Sequence, residues 1–237
     1  MNRPPLRHRP GADSPVVALL RRVGEAAAGW AGGESIGFDL ADLADADLAL
    51  LADVLGSGEV TGRLQDETVI AEAVCPGVWQ VCGGRRLGLE IGEIPVQVRD
   101  AVLSLPYLSP PSADALPDGV MNALPVLGEL AAHAADWRPG APVHGVSLSL
   151  LPLSAVDRQL LEDALGEGPI AFESGGYGFV RVRSTGRRQI WHTRFFNSQA
   201  TPIQHVLEIC DIPAAVRATA EDVRDGGRRL LEIIDAL

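Results

Sequence analysis

The chain contains no lysine: all 20 of its Lys-plus-Arg residues are arginines. That excludes a Schiff-base lysine and the phosphate-binding lysine of a P-loop. Cysteine is scarce too. Cys75, Cys82 and Cys210 are the three, and none lies in a Cys-x-x-Cys pair. An odd count at these spacings supports neither a disulfide framework nor a four-thiolate metal or cluster site, and reduced structural thiols are expected. Long uncharged runs are lacking as well. The longest, Pro139–Val156, is broken by Pro139, Pro142 and Pro152 and by two glycines, so no stretch suits a bilayer. The opening segment MNRPPLRHRPG is basic and Pro-rich with no apolar stretch behind it. It reads as a disordered tail over 1–14, not a signal peptide, and a cytosolic protein is expected.

What is present is a globular composition. The 237 residues are 46% hydrophobic, enough for one large domain or two small ones. The net charge of −11 disfavours nucleic acid, whose affinity comes mainly from cationic side chains displacing counterions.

The chain is written twice. Phe38–Gly58 aligns without a gap on Leu148–Gly168, with 9 of 21 positions identical. Outside that core, Trp79 aligns with Trp191, and LEIGEIP (Leu89–Pro95) with LEICDIP (Leu207–Pro213). The expectation is an α+β fold of two tandem helix–strand–helix–three-strand modules, with mainly antiparallel sheet packed against helices. The modules span 15–103 and 125–237, joined by a stiff connector over 104–124; Ser104–Pro125 carries five prolines. Each opens with an amphipathic helix, Val16–Trp30 or Val126–Trp137. A strand follows, Ser35–Leu40 or Val143–Leu150, then a helix near 45–55 or 155–165. In the second module the strands are 170–173 running on through 177–183, then 189–196 and 203–209. A last helix, 220–236, closes only the second module, with Gly226 and Gly227 each weakening it by roughly 1 kcal/mol. Ser154/Asp157 and Thr219/Asp222 have capping-box spacing. The acidic stretch Asp39–Asp53 lacks calcium-loop spacing and reads as a solvated helix with Asp45 and Asp47 at its N-terminus.

Gly175–Val182, GGYGFVRV, resembles the RNP1 strand of RNA-recognition modules at six of eight positions. The surrounding order lacks the second crossover helix, and the partner strand VHGVSLSL carries no aromatic to stack a base. An RNA- or nucleotide-binding module built on the hairpin 177–199 is therefore the alternative reading. Five arginines, Arg181, Arg183, Arg187, Arg188 and Arg194, lie within 14 residues, interleaved with Trp191, Phe195 and Phe196. Alternation places Trp191, Thr193 and Phe195 on one face and His192, Arg194 and Phe196 on the other. One face must be core; the other offers residue types enriched at protein interfaces. The first module is six residues shorter between its Trp and its Leu-Glu and lacks the Phe-Phe-Asn-Ser segment. No catalytic constellation is evident: Ser174 has no G-x-S-x-G context, and the Gly175–Gly178 loop does not lead into a helix. His192 and His205, with Glu208 or Cys210, are a minor candidate for a metal or acid–base site.

These residues resemble the HupH/HyaF family of hydrogenase expression and formation proteins. The matching positions are Gly176-Tyr177-Gly178, Arg181, Thr185, Trp191, Phe196-Asn197-Ser198, Leu207-Glu208, Asp211, Pro213, Glu221-Asp222 and Arg229-Leu230. The likeness is strong over about 145–237 and weaker before it. Three places depart from the family's usual residues. Phe179-Val180 stand where Asn-Cys is common, His192 where a second Trp is common, and His205-Val206 where Asn-Thr is common. The absent thiol disfavours any cysteine mechanism in that strand. The resemblance implies a non-catalytic maturation factor for a NiFe hydrogenase. It would act as a chaperone on the cytosolic iron–sulfur small-subunit precursor, beside a thioredoxin-like companion, with no cofactor, metal, membrane or nucleic acid. The expected partner surface is Tyr177, Arg181, Trp191, His192, Arg194, Phe195, Asn197 and Ser198.

Overall fold

The computed structural model describes residues 14–83, 86–176 and 178–236. Among these, six α-helices and ten strands form an α+β fold in which the strand pairings are antiparallel. The predicted tail, save Ser14, lies outside the described residues. No helix among the described residues is long and apolar enough to cross a membrane. The chain divides into two compact units, the first formed by residues up to Thr61, Glu67–Val96 and Arg217 onward, the second by Gly62–Asp66 and Gln97–Val216.

The first unit holds helices α1 (Pro15–Ala28) and α2 (Asp45–Leu55) and strands β1 (Ile36–Asp39), β3 (Val69–Glu72), β4 (Val78–Gly83) and β5 (Arg86–Ile91), in the sheet order β1-β5-β4-β3. Strand β2 (Val60–Leu64) follows α2 in the chain. Pro15 at the first turn of α1 fixes a helical φ where no N–H is needed. Val16, Leu20, Val23 and Ala27 then recur on one buried stripe. Against them lies helix α6 (Ala220–Asp235), capped by the Thr219/Asp222 box and burying Val223, Leu230 and Ile234. The last predicted helix therefore packs on the first helix of the chain. Its two glycines are contact points, not weak spots. A Cβ on Gly226 would sit 2.3 Å from the Pro76 carbonyl oxygen, and one on Gly227 would sit 2.2 Å from the Ala28 nitrogen. Only a residue without Cβ allows so close an approach.

The second unit contains α3 (Val96–Leu103, of which Val96 belongs to the first unit), α4 (Ala123–Asp136), β6 (His144–Ser147), α5 (Ala155–Leu165), β7 (Glu167–Ser174), β8 (Phe179–Thr185), β9 (Ile190–Phe196) and β10 (Pro202–Ile209). Its sheet runs β7-β8-β9-β10-β6. Four strands follow α5 where three are expected. The run 170–183 is a hairpin, because Gly176 and Gly178 adopt φ of +136° and +104° and reverse the chain between β7 and β8. Helices α4 and α5 bury Leu127, Leu130, Leu161 and Leu165 against Ile190, Leu207 and Ile209. Asp157 fastens the helices together. Its Oδ1 accepts the N–H groups of Met121, Asn122 and Ala123, each at 2.9 Å, and its Oδ2 accepts Ser154 N–H at 2.9 Å. Burial pushes this carboxyl up, and the four N–H donors outweigh it and hold it well below the ordinary range.

Candidate functional site: an arginine and aromatic sheet face

Strands β8, β9 and β10 carry the segment singled out by the sequence. Residues directly opposed on antiparallel strands share a face. On one face, Ser184 opposes Trp191, which opposes Glu208, and Val182 opposes Thr193, which opposes Val206. Trp191, Thr193 and Val182 are fully buried. The Trp191 indole N–H donates to the carbonyls of Cys210 (3.3 Å) and Asp211 (3.1 Å), and the Thr193 hydroxyl donates to Glu208 Oε2. The aligned Trp79 opposes Glu90 and donates to Gly92 O at 2.9 Å. Trp191 is thus core, not partner surface, and Phe195 lies on the same side of β9, half-buried.

The other face is apolar at one end, where Ile190, Ile209 and Leu207, the last opposite His192, are buried under α4 and α5, and polar and aromatic toward the β9–β10 turn. Phe179 opposes Phe196, Arg181 opposes Arg194, which opposes His205, and Arg183 opposes His192. The Phe179 and Phe196 rings stack at 4.4 Å and 8°. Arg181 lies over both, 5.1 and 5.2 Å from the ring centroids, and is held by Glu173 at 2.7 Å. Phe179, Arg183 and Phe196 were absent from the sequence-derived surface, which held Phe195 in place of Phe196. Phe179 sits two residues before Arg181 and so shares its face, which is the signal that could have found it.

Like charges directly opposed weaken a sheet. Arg181 and Arg183 are offset by Glu173 and by Glu167, the latter at 3.8 Å. Arg194 is exposed and makes no ion pair among the described residues. The face borders a groove of about 750 Å³ whose walls include Arg63, Gln65, Glu167 and Arg183.

His192 Nδ1 and His205 Nε2 meet at 2.9 Å, one ring's N–H donating to the other's lone pair. Burial, the neighbouring imidazole, Arg194 and Arg183 hold His192 down to about 4; burial and Arg194 hold His205 down to about 4. Both are neutral at neutral pH. Two positions that depart from the family pattern thus touch each other. Neither candidate extra metal ligand joins them: Glu208 lies on the opposite face, and Cys210 is buried.

Asn197 shapes the β9–β10 turn. Its Oδ1 accepts the N–H groups of Gln199 (3.0 Å) and Thr201 (2.9 Å), which lets Ala200 take φ of +58°. Ser198 is exposed on that turn. Tyr177 lies outside the described residues. A Cβ on neighbouring Gly178 would sit 2.5 Å from the Phe196 carbonyl oxygen, so the loop closes against the end of β9.

Comparison with known proteins adds the following. Residues 120–237 match the C-terminal conserved region of HupH hydrogenase expression proteins. The chain is 39% identical over 209 residues to the hydrogenase expression/formation protein HupH of Rhizobium leguminosarum bv. viciae, covering 84% of this chain and 73% of that one. It is 40% identical over 234 residues to the hydrogenase expression/formation protein HoxQ of Azotobacter vinelandii, covering 93% and 81%. It is 36% identical over 212 residues to the hydrogenase-1 operon protein HyaF of Escherichia coli (strain K12), covering 85% and 73%. A solved structure, hydrogenase expression protein HupH from Thiobacillus denitrificans ATCC 25259, aligns over 49% of this chain and 97% of its own, with 26% identity and a TM-score of 0.44.

Proposed function

We infer, since the chain belongs to the HupH family of hydrogenase expression/formation proteins, that it is a non-catalytic accessory protein of NiFe hydrogenase maturation. In this reading it holds the iron–sulfur small-subunit precursor in the cytosol, alongside a thioredoxin-like companion. The docking face is the exposed side of β8 and β9: Phe179, Arg181, His192, Arg194 and Phe196, with Asn197 and Ser198 at its edge.

The observation that carries this reading is the arginine pair Arg181–Arg194 set beside the stacked Phe179 and Phe196. Opposed cations cost stability, and Arg194 has no ion-pair partner among the described residues to offset that cost. A partner supplying a carboxylate would satisfy it, and the phenyl pair would supply apolar area beside the charge. Chaperoning requires only that the immature partner bind better than the mature one.

The test is capture of the small-subunit precursor by the tagged full chain, with and without ribonuclease. Arg194→Glu and Arg181→Glu should each weaken capture about tenfold or more, with the thermal midpoint nearly unchanged because both side chains are exposed. Undiminished capture would remove the docking face. Recovery of ribonuclease-sensitive material without a hydrogenase subunit would favour the RNA-binding alternative, with the same arginines tracking phosphates.

A further inference from the structure

A second polar cluster of the same unit lies on α4 and β6. Glu129 and His133 are four residues apart on α4, hence on one helix face, and His144 is the first residue of β6. Their backbones are anchored. Leu127, Leu130 and Ala134 bury the opposite side of α4, and β6 pairs with β10 through His144 opposite Ile209. The three side chains meet at the surface. His144 Nε2 lies 2.7 Å from Glu129 Oε1. The His133 and His144 rings stack at 3.6 Å and 10°. One ligand atom from each residue lies within 4.8 Å of the others.

We propose that Glu129, His133 and His144 form a surface site for one late first-row divalent metal ion of the nickel(II)–zinc(II) kind. Two imidazole nitrogens and one carboxylate oxygen, without thiolate, suit those ions better than calcium or magnesium, which prefer all-oxygen shells. Bonds of about 2.0–2.2 Å place tetrahedral ligand atoms about 3.3 Å apart. The observed spread contracts to that by rotamer shifts of exposed Glu129 and His133 toward half-buried His144 on fixed backbone. The ion takes the place of the proton now shared by His144 and Glu129. His133 is in the last turn of α4, where the helix end carries partial negative charge and favours a cation. Three protein ligands leave at least one coordination position open, the arrangement of sites that accept a further donor from solvent or from a second molecule.

This site is on different residues from the docking face, so the two proposals stand or fall separately. The test is equilibrium dialysis of the full chain, prepared without a polyhistidine tag, against nickel(II) and against zinc(II), read by elemental analysis. The expected result is one equivalent of ion per chain in the micromolar range. His133→Ala, His144→Ala and Glu129→Gln should each weaken it about tenfold or more. Far-UV circular dichroism and thermal midpoints of these variants should match the parent, because the altered side chains lie at the surface. Absence of stoichiometric binding by the parent would overturn the proposal. So would binding that survives His133→Ala and His144→Ala, or that is lost instead in His192→Gln/His205→Gln.

Discussion

Acidification from pH 7.5 to 5.0 should destabilise the protein by about 2 kcal/mol through His192 alone. The imidazoles of His192 and His205 share a hydrogen bond at 2.9 Å, and each is held down to about 4 against an ordinary value of 6.5. Burial is the first cause for both. A base whose folded pKa lies below its unfolded one is protonated first in the unfolded chain. Stability is therefore full above about 6.5, falls as pH drops toward about 4, and levels below that. One proton is worth about 1.4 kcal/mol per pH unit, and the interval from 6.5 to 5.0 yields about 2 kcal/mol. His205 is more exposed, so solvent screens part of its share. Asp157 and Asp222, held low, lose their contributions only below their ordinary value of 3.8. Glu72, raised mainly by burial, works in the opposite direction within the window. Comparison of parent with His192→Gln/His205→Gln, by urea unfolding at both pH values, cancels these other groups. The parent should lose at least about 2 kcal/mol more than the variant, the excess over 2 being the screened share of His205. Equal losses, or imidazole resonances titrating near pH 6.5 in the folded protein, would refute the reasoning.

Gly227→Ala should destabilise by about 3 kcal/mol despite the better helix propensity of alanine, since its Cβ would meet the Ala28 backbone at 2.2 Å. Gly24→Ala meets the movable side chain of Leu231 at 2.9 Å and backbone no nearer than the Gly227 carbonyl oxygen at 3.4 Å, and should cost under about 1 kcal/mol; thermal unfolding separates the two. Asp157→Asn sets an amide N–H₂ against a backbone N–H or leaves helix α4 short of an acceptor, and should cost about 3 kcal/mol by chemical denaturation. Trp191→Phe removes the indole N–H that reaches the Cys210 and Asp211 carbonyls and leaves a gap in the core, an expected loss of about 2 kcal/mol in the same assay.

Helices were the more legible part of the fold because apolar period and caps are local, but α3 (Val96–Leu103) was missed: a closing helix was expected only after the second module. The spans near 45–55 and 155–165 coincide with α2 and α5, and both proposed capping boxes form, at Ser154/Asp157 and Thr219/Asp222. The strands were read less well. GGYG passes for strand until two positive φ values turn it into a reversal. Gly226 and Gly227 read as helix weakness because their reason lies at Ala27–Ala28 and Pro76, far away in sequence. At the site, alternation sorted 189–196 into two faces correctly. Both faces turned out to hold core: Trp191 reaches carbonyls some 20 residues on, and Ile190 lies under α4 and α5 on the His192 face, which no local pattern encodes. Phe179 was legible in its i,i+2 spacing from Arg181, and the register then set it against Phe196. Asp47 shows the limit of the sequence alignment. It matches Asp157, yet α2 carries no side-chain cap, and Asp47 is not fully buried.

The pairing of α1 with α6 also sets a clock. Their first residues, Pro15 and Ala220, are separated by 205 positions. Translation at about 5–20 residues per second delays the second helix by about 10–40 s. Throughout that interval Val16, Leu20, Val23 and Ala27 have no α6 to cover them, and by its end every residue of the second unit is made. The first unit is begun first and completed last. A chain stalled before Ala220 would leave the ribosome with that apolar stripe open, a ready target for the proteases and holdases that remove unfinished protein.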